Sequence, residues 1–228
     1  MASEPSAVKV PGAFAGRPRP RAELVLLVLC PLCLALIPIH IGSIYEGLPA
    51  HPLLLHIPVM GIPIATVGAL ALAVRPAWID RWGVPLAIVA VVSLAGTVLT
   101  IGAGEWLRAR LGLTGDFGPG ALIARHAHAA DILRVLMFAF APALVLTVLA
   151  HRTEGTRREL RIAGRVATVA LAIACAYFVF HVGDLGARAV WAGRVNGHGG
   201  FPGGGLPGAG GSGPGNVTPQ SLFGGGGG

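Results

Sequence analysis

The chain has 228 residues, of which 54% are hydrophobic and only 12% charged, with a mean hydropathy of +0.71. That leaves too little polar surface for a water-soluble domain of this length. A net charge of +7 fits nucleic-acid binding in sign. The arginines form no dense stripe interleaved with aromatics, however, so the charge reads as a membrane-topology signal and excludes nucleic acid as a partner.

Residues 1–21 are polar and rich in Pro, Ala and Arg, which predicts a disordered N-terminal segment. The first apolar run starts late and is long, so it reads as an uncleaved anchor. It covers about Leu24 to Ile41 within an additional N-terminal helix over 22–44, and Pro31 and Pro38 predict a kink. Cys30 and Cys33 form a C-P-L-C run inside this apolar stretch. A zinc site needs two more ligands nearby, and none follows, so both read as small buried hydrophobes, as does Cys175.

The second span is about Leu53 to Val74, where Pro58 and Pro63 predict an irregular helix. The third is about Val84 to Ile101, followed by Gly102 and Gly104, small enough to let another segment approach. Residues 103–122 read as a connection of mixed charge with Glu105, Arg108, Arg110 and Asp116. A fourth helix runs from about Ala121 to Ala150, a basic loop follows to Arg165, and the fifth span is about Ala167 to His181. From about residue 198 onward a Gly- and Pro-rich tail has almost no side chain to bury and reads as disordered.

The expected fold is therefore all-α, a polytopic transmembrane helical bundle of about five spans with a four-helix core. The positive-inside rule sets the orientation. With the N-terminus inside, eleven Lys and Arg residues fall in cytoplasmic segments against five outside, and the C-terminus lies outside. A multi-pass protein of the bacterial inner membrane is implied, with the lipid bilayer as its first partner.

This topology collects seven of the eight histidines at the outer face. Imidazole is the commonest metal ligand and suits haem iron, and a haem between helices needs two axial ligands from different helices. His56 and His128 are the first candidates, His181 the close competitor, and His126 and His51 complete the set. His126 and His128 are two residues apart, so at most one faces a given inner site. Met60 is an alternative ligand, and Tyr177 and Phe178 are candidate walls for a ring. Asp131 lies three residues after His128, where its carboxylate would hold the other imidazole nitrogen. Arg134 would pair with Asp131 or a haem propionate, while Glu105 and Asp184 would hydrogen-bond histidines, relay protons or face water. The competing explanation is an interfacial, hydrogen-bonded histidine cluster with no ligand, His51 serving only to cap a helix start.

Two stretches carry a family resemblance. HPLLLHIP, from His51 to Pro58, resembles an H-P-x-x-x-H-x-P motif that opens a transmembrane helix in the DUF2231 family of predicted bacterial membrane proteins. The run FHVGDLGARAVWAG, from Phe180 to Gly193, is similar to that family's G-H-x-G-x-x-x-V-Y pattern through His181, Gly183, Gly186 and Val190, with Trp191 in the aromatic place. The resemblance implies a four-helix membrane domain over about 45–197. Relatives joined to cytochrome-like or Rieske-type modules imply redox work. The chain has no C-x-x-C-H motif and no Rieske ligand set, so any redox group is non-covalent haem b or a metal ion. A membrane electron-transfer protein is the leading expectation, served by a redox partner. The alternatives are a non-catalytic assembly or scaffold subunit of a membrane complex and a small transporter or metal-uptake protein.

Overall fold

The computed structural model describes residues 21–45, 47–112 and 119–195. The expected disordered N-terminal segment up to residue 20, the Gly-rich tail, Asp116 and His198 lie outside the described residues. The chain divides into a unit over residues 1–192 and one over 193–228, of which only the last turn of a helix is described.

The described fold is helical throughout except for one hairpin. α1 spans Arg21–Leu32 and continues as a 3-10 turn over Cys33–Leu36. Two short antiparallel strands follow, β1 at Ser43–Tyr45 and β2 at Leu48–Pro49. Their connection uses Gly47 at a φ of 81°, a left-handed conformation that favours glycine. Then come α2 (Ala50–Leu54), α3 (His56–Val74), a 3-10 turn at Pro76–Trp78, α4 (Ile79–Arg110), α5 (Pro119–Arg152) and α6 (Arg158–Val195).

Four segments are long and apolar enough to cross a membrane: Ala50–Val74, Pro76–Arg110, Gly120–Arg152 and Arg158–Trp191. The first expected span departs from prediction. Its α-helix has 12 residues and its 3-10 extension 4, together about 26 Å long and short of a hydrocarbon core of about 30 Å. The first span is thus shorter and less regular than the other four, yet it runs the depth of the bundle, from Glu23 beside Arg152 at one end to Ile39 against Gly102 at the other. Beyond Leu36 the chain turns away into the hairpin, and Pro38 removes a backbone donor at that point.

The remaining helices run past their apolar stretches. α4 has 32 residues, α5 has 34 and α6 has 38, so each exceeds about 45 Å. Glu105, Arg108 and Arg110, expected in a connection, are helical, and the basic loop before the last helix shrinks to residues 153–157. Hydropathy marks only the part of a helix that lies in hydrocarbon, and the backbone ladder continues into the polar zone. The expected irregularity of the second span is present as a break at Leu55 between α2 and α3. Pro58 has no N–H to offer the Leu54 carbonyl, so the ladder is interrupted there.

α4 is the central helix and packs against α1, α2, α3 and α5. The core includes Ile62 of α3, Leu94 and Val98 of α4, and Met137, Phe140 and Leu144 of α5, all at most 1% exposed. Water cannot drive helix association within lipid, so close packing and interhelical hydrogen bonds replace it. Thr66 of α3 donates to the Ala172 carbonyl of α6 at 3.1 Å, and Thr147 of α5 meets Thr168 of α6 at 2.8 Å. Cys30, Cys33 and Cys175 are buried and free, in keeping with their expected role as small apolar fillers.

At the arginine-rich end of the bundle, Glu23 of α1 is 1% exposed. Arg152 at the end of α5 donates to Glu23 Oε1 at 2.7 Å and to the Asp80 carbonyl of α4 at 2.6 Å. One guanidinium thus ties three helices together, and it supplies the counter-charge that a buried carboxylate requires.

Candidate histidine site

At the other end of the bundle, the segment after α1 folds over the end of α4. The Ile39 carbonyl sits against Gly102, where an added Cβ would come within 2.5 Å of it. His40 places Nε2 3.1 Å from Glu105 Oε2, in an exposed pair. His51, in the first turn of α2, reaches across to α4. Its Nδ1 lies 2.9 Å from the Thr100 carbonyl, and the Nδ1–Cε1 edge of its ring packs on Gly104.

The same arrangement recurs between α5 and α6. His126 Nδ1 lies 2.9 Å from the Val182 carbonyl, and the Nδ1–Cε1 edge of its ring packs on Gly186. In both cases the accepting carbonyl belongs to the residue four before the glycine. The carbonyl already accepts a helical N–H and has a second lone pair to offer. A side chain one turn later would screen it, whereas a glycine leaves it open to a ring from the neighbouring helix. The bundle is thus two helical hairpins, α2–α3 with α4 and α5 with α6, each presenting one imidazole in the same way.

The two imidazoles meet. Their ring centroids are 6.3 Å apart and their planes cross at 81°. A carbonyl can only accept, so each Nδ1 carries a proton. A ring so held that carries no second proton has its lone pair on Nε2, the arrangement found in metal-ligating histidines that donate their other N–H to a backbone carbonyl.

The other expected site residues lie elsewhere. His56 is exposed, with Nδ1 3.3 Å from the Leu53 carbonyl, and His128 is exposed on α5. These two were the first candidates, yet it is His51 and His126 that face inward. Two residues along a helix turn a side chain by about 200°, so His126 and His128 take opposite faces. The break at Leu55 likewise separates His56 from His51. His181 is half-buried and stacks on Tyr177 at 5.9 Å, with Phe178 edge-on at 6.3 Å, so the expected ring walls contact a histidine of their own helix. Met60 is exposed. Asp131 does not serve His128 but forms an ion pair with Arg134 at 2.8 Å, with an alignment that falls short of a hydrogen bond. Asp184 is exposed and pairs with Arg188 at 2.9 Å, the solvent-facing alternative. Among the described residues, no three His, Cys, Asp or Glu side chains form a metal-binding group.

Sequence reading missed Thr100, Val182 and the pairing of each with its glycine. The available signal was a glycine following four residues later in each of two helices, at Gly104 and Gly186, opposite a histidine near the start of the preceding helix. The arrangement yields a direct prediction. In Gly104→Ala the new Cβ would lie 2.9 Å from His51 Nδ1, so the ring must leave the Thr100 carbonyl. The expected result is loss of the slowly exchanging His51 Nδ1–H resonance in nitrogen-15 NMR and a stability cost of about 1 kcal/mol.

These features define a polytopic α-helical membrane protein with an inward-facing histidine pair built from two hairpins. The chain belongs to the DUF2231 family, described as predicted membrane proteins, whose model matches residues 47–198. No curated protein and no solved structure matches it.

Proposed function

We propose that this membrane protein passes electrons through a metal centre held between His51 and His126. The supporting observation is the meeting of two imidazoles from separate hairpins, each with Nδ1 committed to a backbone carbonyl. Each ring would offer its Nε2 lone pair to a metal, with its Nδ1–H held by the backbone. The rings pack edge-on with centroids 6.3 Å apart, which brings two imidazoles from different hairpins to one place.

Both a transition-metal ion and the iron of non-covalent haem b suit two imidazoles at this spacing. For a bare ion, copper heads the affinity order for such donors. The bound metal would supply a one-electron change. The protein's own groups fix the tautomer, hold the rings and set their separation. Glu105, next to Gly104, forms an exposed pair with His40 at the rim. On this reading the end with the histidine pair faces outward from a bacterial inner membrane, which the arginine count supports.

Elemental analysis and visible spectra of detergent-purified protein, expressed with ample copper, iron and haem, test this reading. A stoichiometric metal without a Soret band is the expected result. A Soret band that shifts on dithionite reduction would identify haem b instead. A colourless, metal-free protein would overturn the proposal in favour of an assembly subunit.

A further inference from the structure

We propose that the groove between α6 and the end of α3 is a binding site for an anionic phospholipid. The groove has a volume of about 690 Å³ and is lined by Ala73 of α3 and by Arg158, Ile162, Arg165, Val166 and Ile173 of α6. Spacings of three, four and seven residues put the α6 members on one face of that helix. The groove has two arginines toward one end and only apolar side chains beyond them.

Three observations fix the occupant. First, among the described residues no carboxylate pairs with Arg158 or Arg165. Arg165 is braced by its Nε bond to the Arg161 carbonyl at 3.1 Å. Second, the apolar lining is open: Ile162, Val166 and Ile173 are 43%, 64% and 53% exposed. In a bundle whose helices cross a membrane, such a face meets acyl chains. Third, the depth is marked by Arg75 over the Trp78 ring at 5.2 Å and Arg81 over Trp82 at 5.5 Å. Arginine and tryptophan gather at the headgroup level of a bilayer, and Arg75 is two residues from Ala73. The site therefore offers two cations at headgroup depth and an apolar crevice leading toward the hydrocarbon, which match one phosphate and one acyl chain.

The experiment compares purified protein in mixed micelles with phosphatidylglycerol or phosphatidylcholine, reading lipid retained after delipidation by native mass spectrometry. Phosphatidylglycerol is expected to be retained and phosphatidylcholine lost. Each of Arg158→Gln and Arg165→Gln should lower retention about fivefold, and the double variant about thirtyfold. Arg157→Gln, a charge outside the groove, should leave it unchanged. If the double variant melts early in phosphatidylcholine, Arg158→Lys/Arg165→Lys replaces it: retained lipid supports the site and lost lipid opposes it. Equal retention of the two lipids, equal loss in Arg157→Gln, or displacement by soluble glycerol phosphate would each overturn the proposal.

Discussion

If the proposed metal centre exists, His51→Ala and His126→Ala are each expected to empty it, weakening metal binding more than about 100-fold, the upper end for changes that only touch a ligand's supports. Two ligands of one ion act as a unit, so the double variant should be no worse than either single one. His56→Ala and His128→Ala should leave metal content unchanged, because both side chains are exposed on the bundle surface. Elemental analysis of the five purified proteins makes the comparison. The folding cost of removing either ring should stay small. The Thr100 and Val182 carbonyls keep their helical N–H partners, so no acceptor is orphaned. Metal retained in full by His51→Ala or by His126→Ala would remove the site.

The second large effect concerns Glu23. Glu23→Ala leaves Arg152, whose side chain is 14% exposed, without its counter-charge. Removing one member of a buried ion pair costs about 3–5 kcal/mol. The expected outcome is a correspondingly lower unfolding midpoint in an SDS titration, with α1 released from α4 and α5. Replacing both partners tests whether the cost is that of a stranded charge. Glu23→Met/Arg152→Met should recover most of the stability, because an apolar pair of similar volume avoids the desolvation penalty. Arg152 also donates to the Asp80 carbonyl, and any shortfall in the double variant reports that bond.

The helical membrane architecture was legible in the sequence because apolar blocks of span length are a compositional signal that needs no tertiary information. Helix ends were not. The continuation of α4 to Arg110 and the start of α6 at Arg158 lie in polar sequence, where hydropathy is silent and only the hydrogen-bond ladder decides. In the N-terminal span the irregular end was legible from the two prolines of the apolar run, and the chain leaves regular helical geometry after Leu36. At the site, topology brought the histidines to one end of the bundle and limited His126 and His128 to one inward member. It did not decide which. That choice depends on rotation about the helix axis, set by Gly186 and the Val182 carbonyl on a helix 56 residues further along the chain. Glu23 went unnoticed for a related reason: its partner is 129 residues away.

The repeated His-to-carbonyl bond has a consequence for biosynthesis. Each imidazole is secured within its own hairpin, so the His51 ring can be held on α4 before the second half is present. Only when the second half docks alongside does that ring gain its perpendicular neighbour. The contact of His51 with His126 therefore reports the docking of the two halves, and cysteines placed at these two positions are expected to crosslink only in chains whose halves have come together.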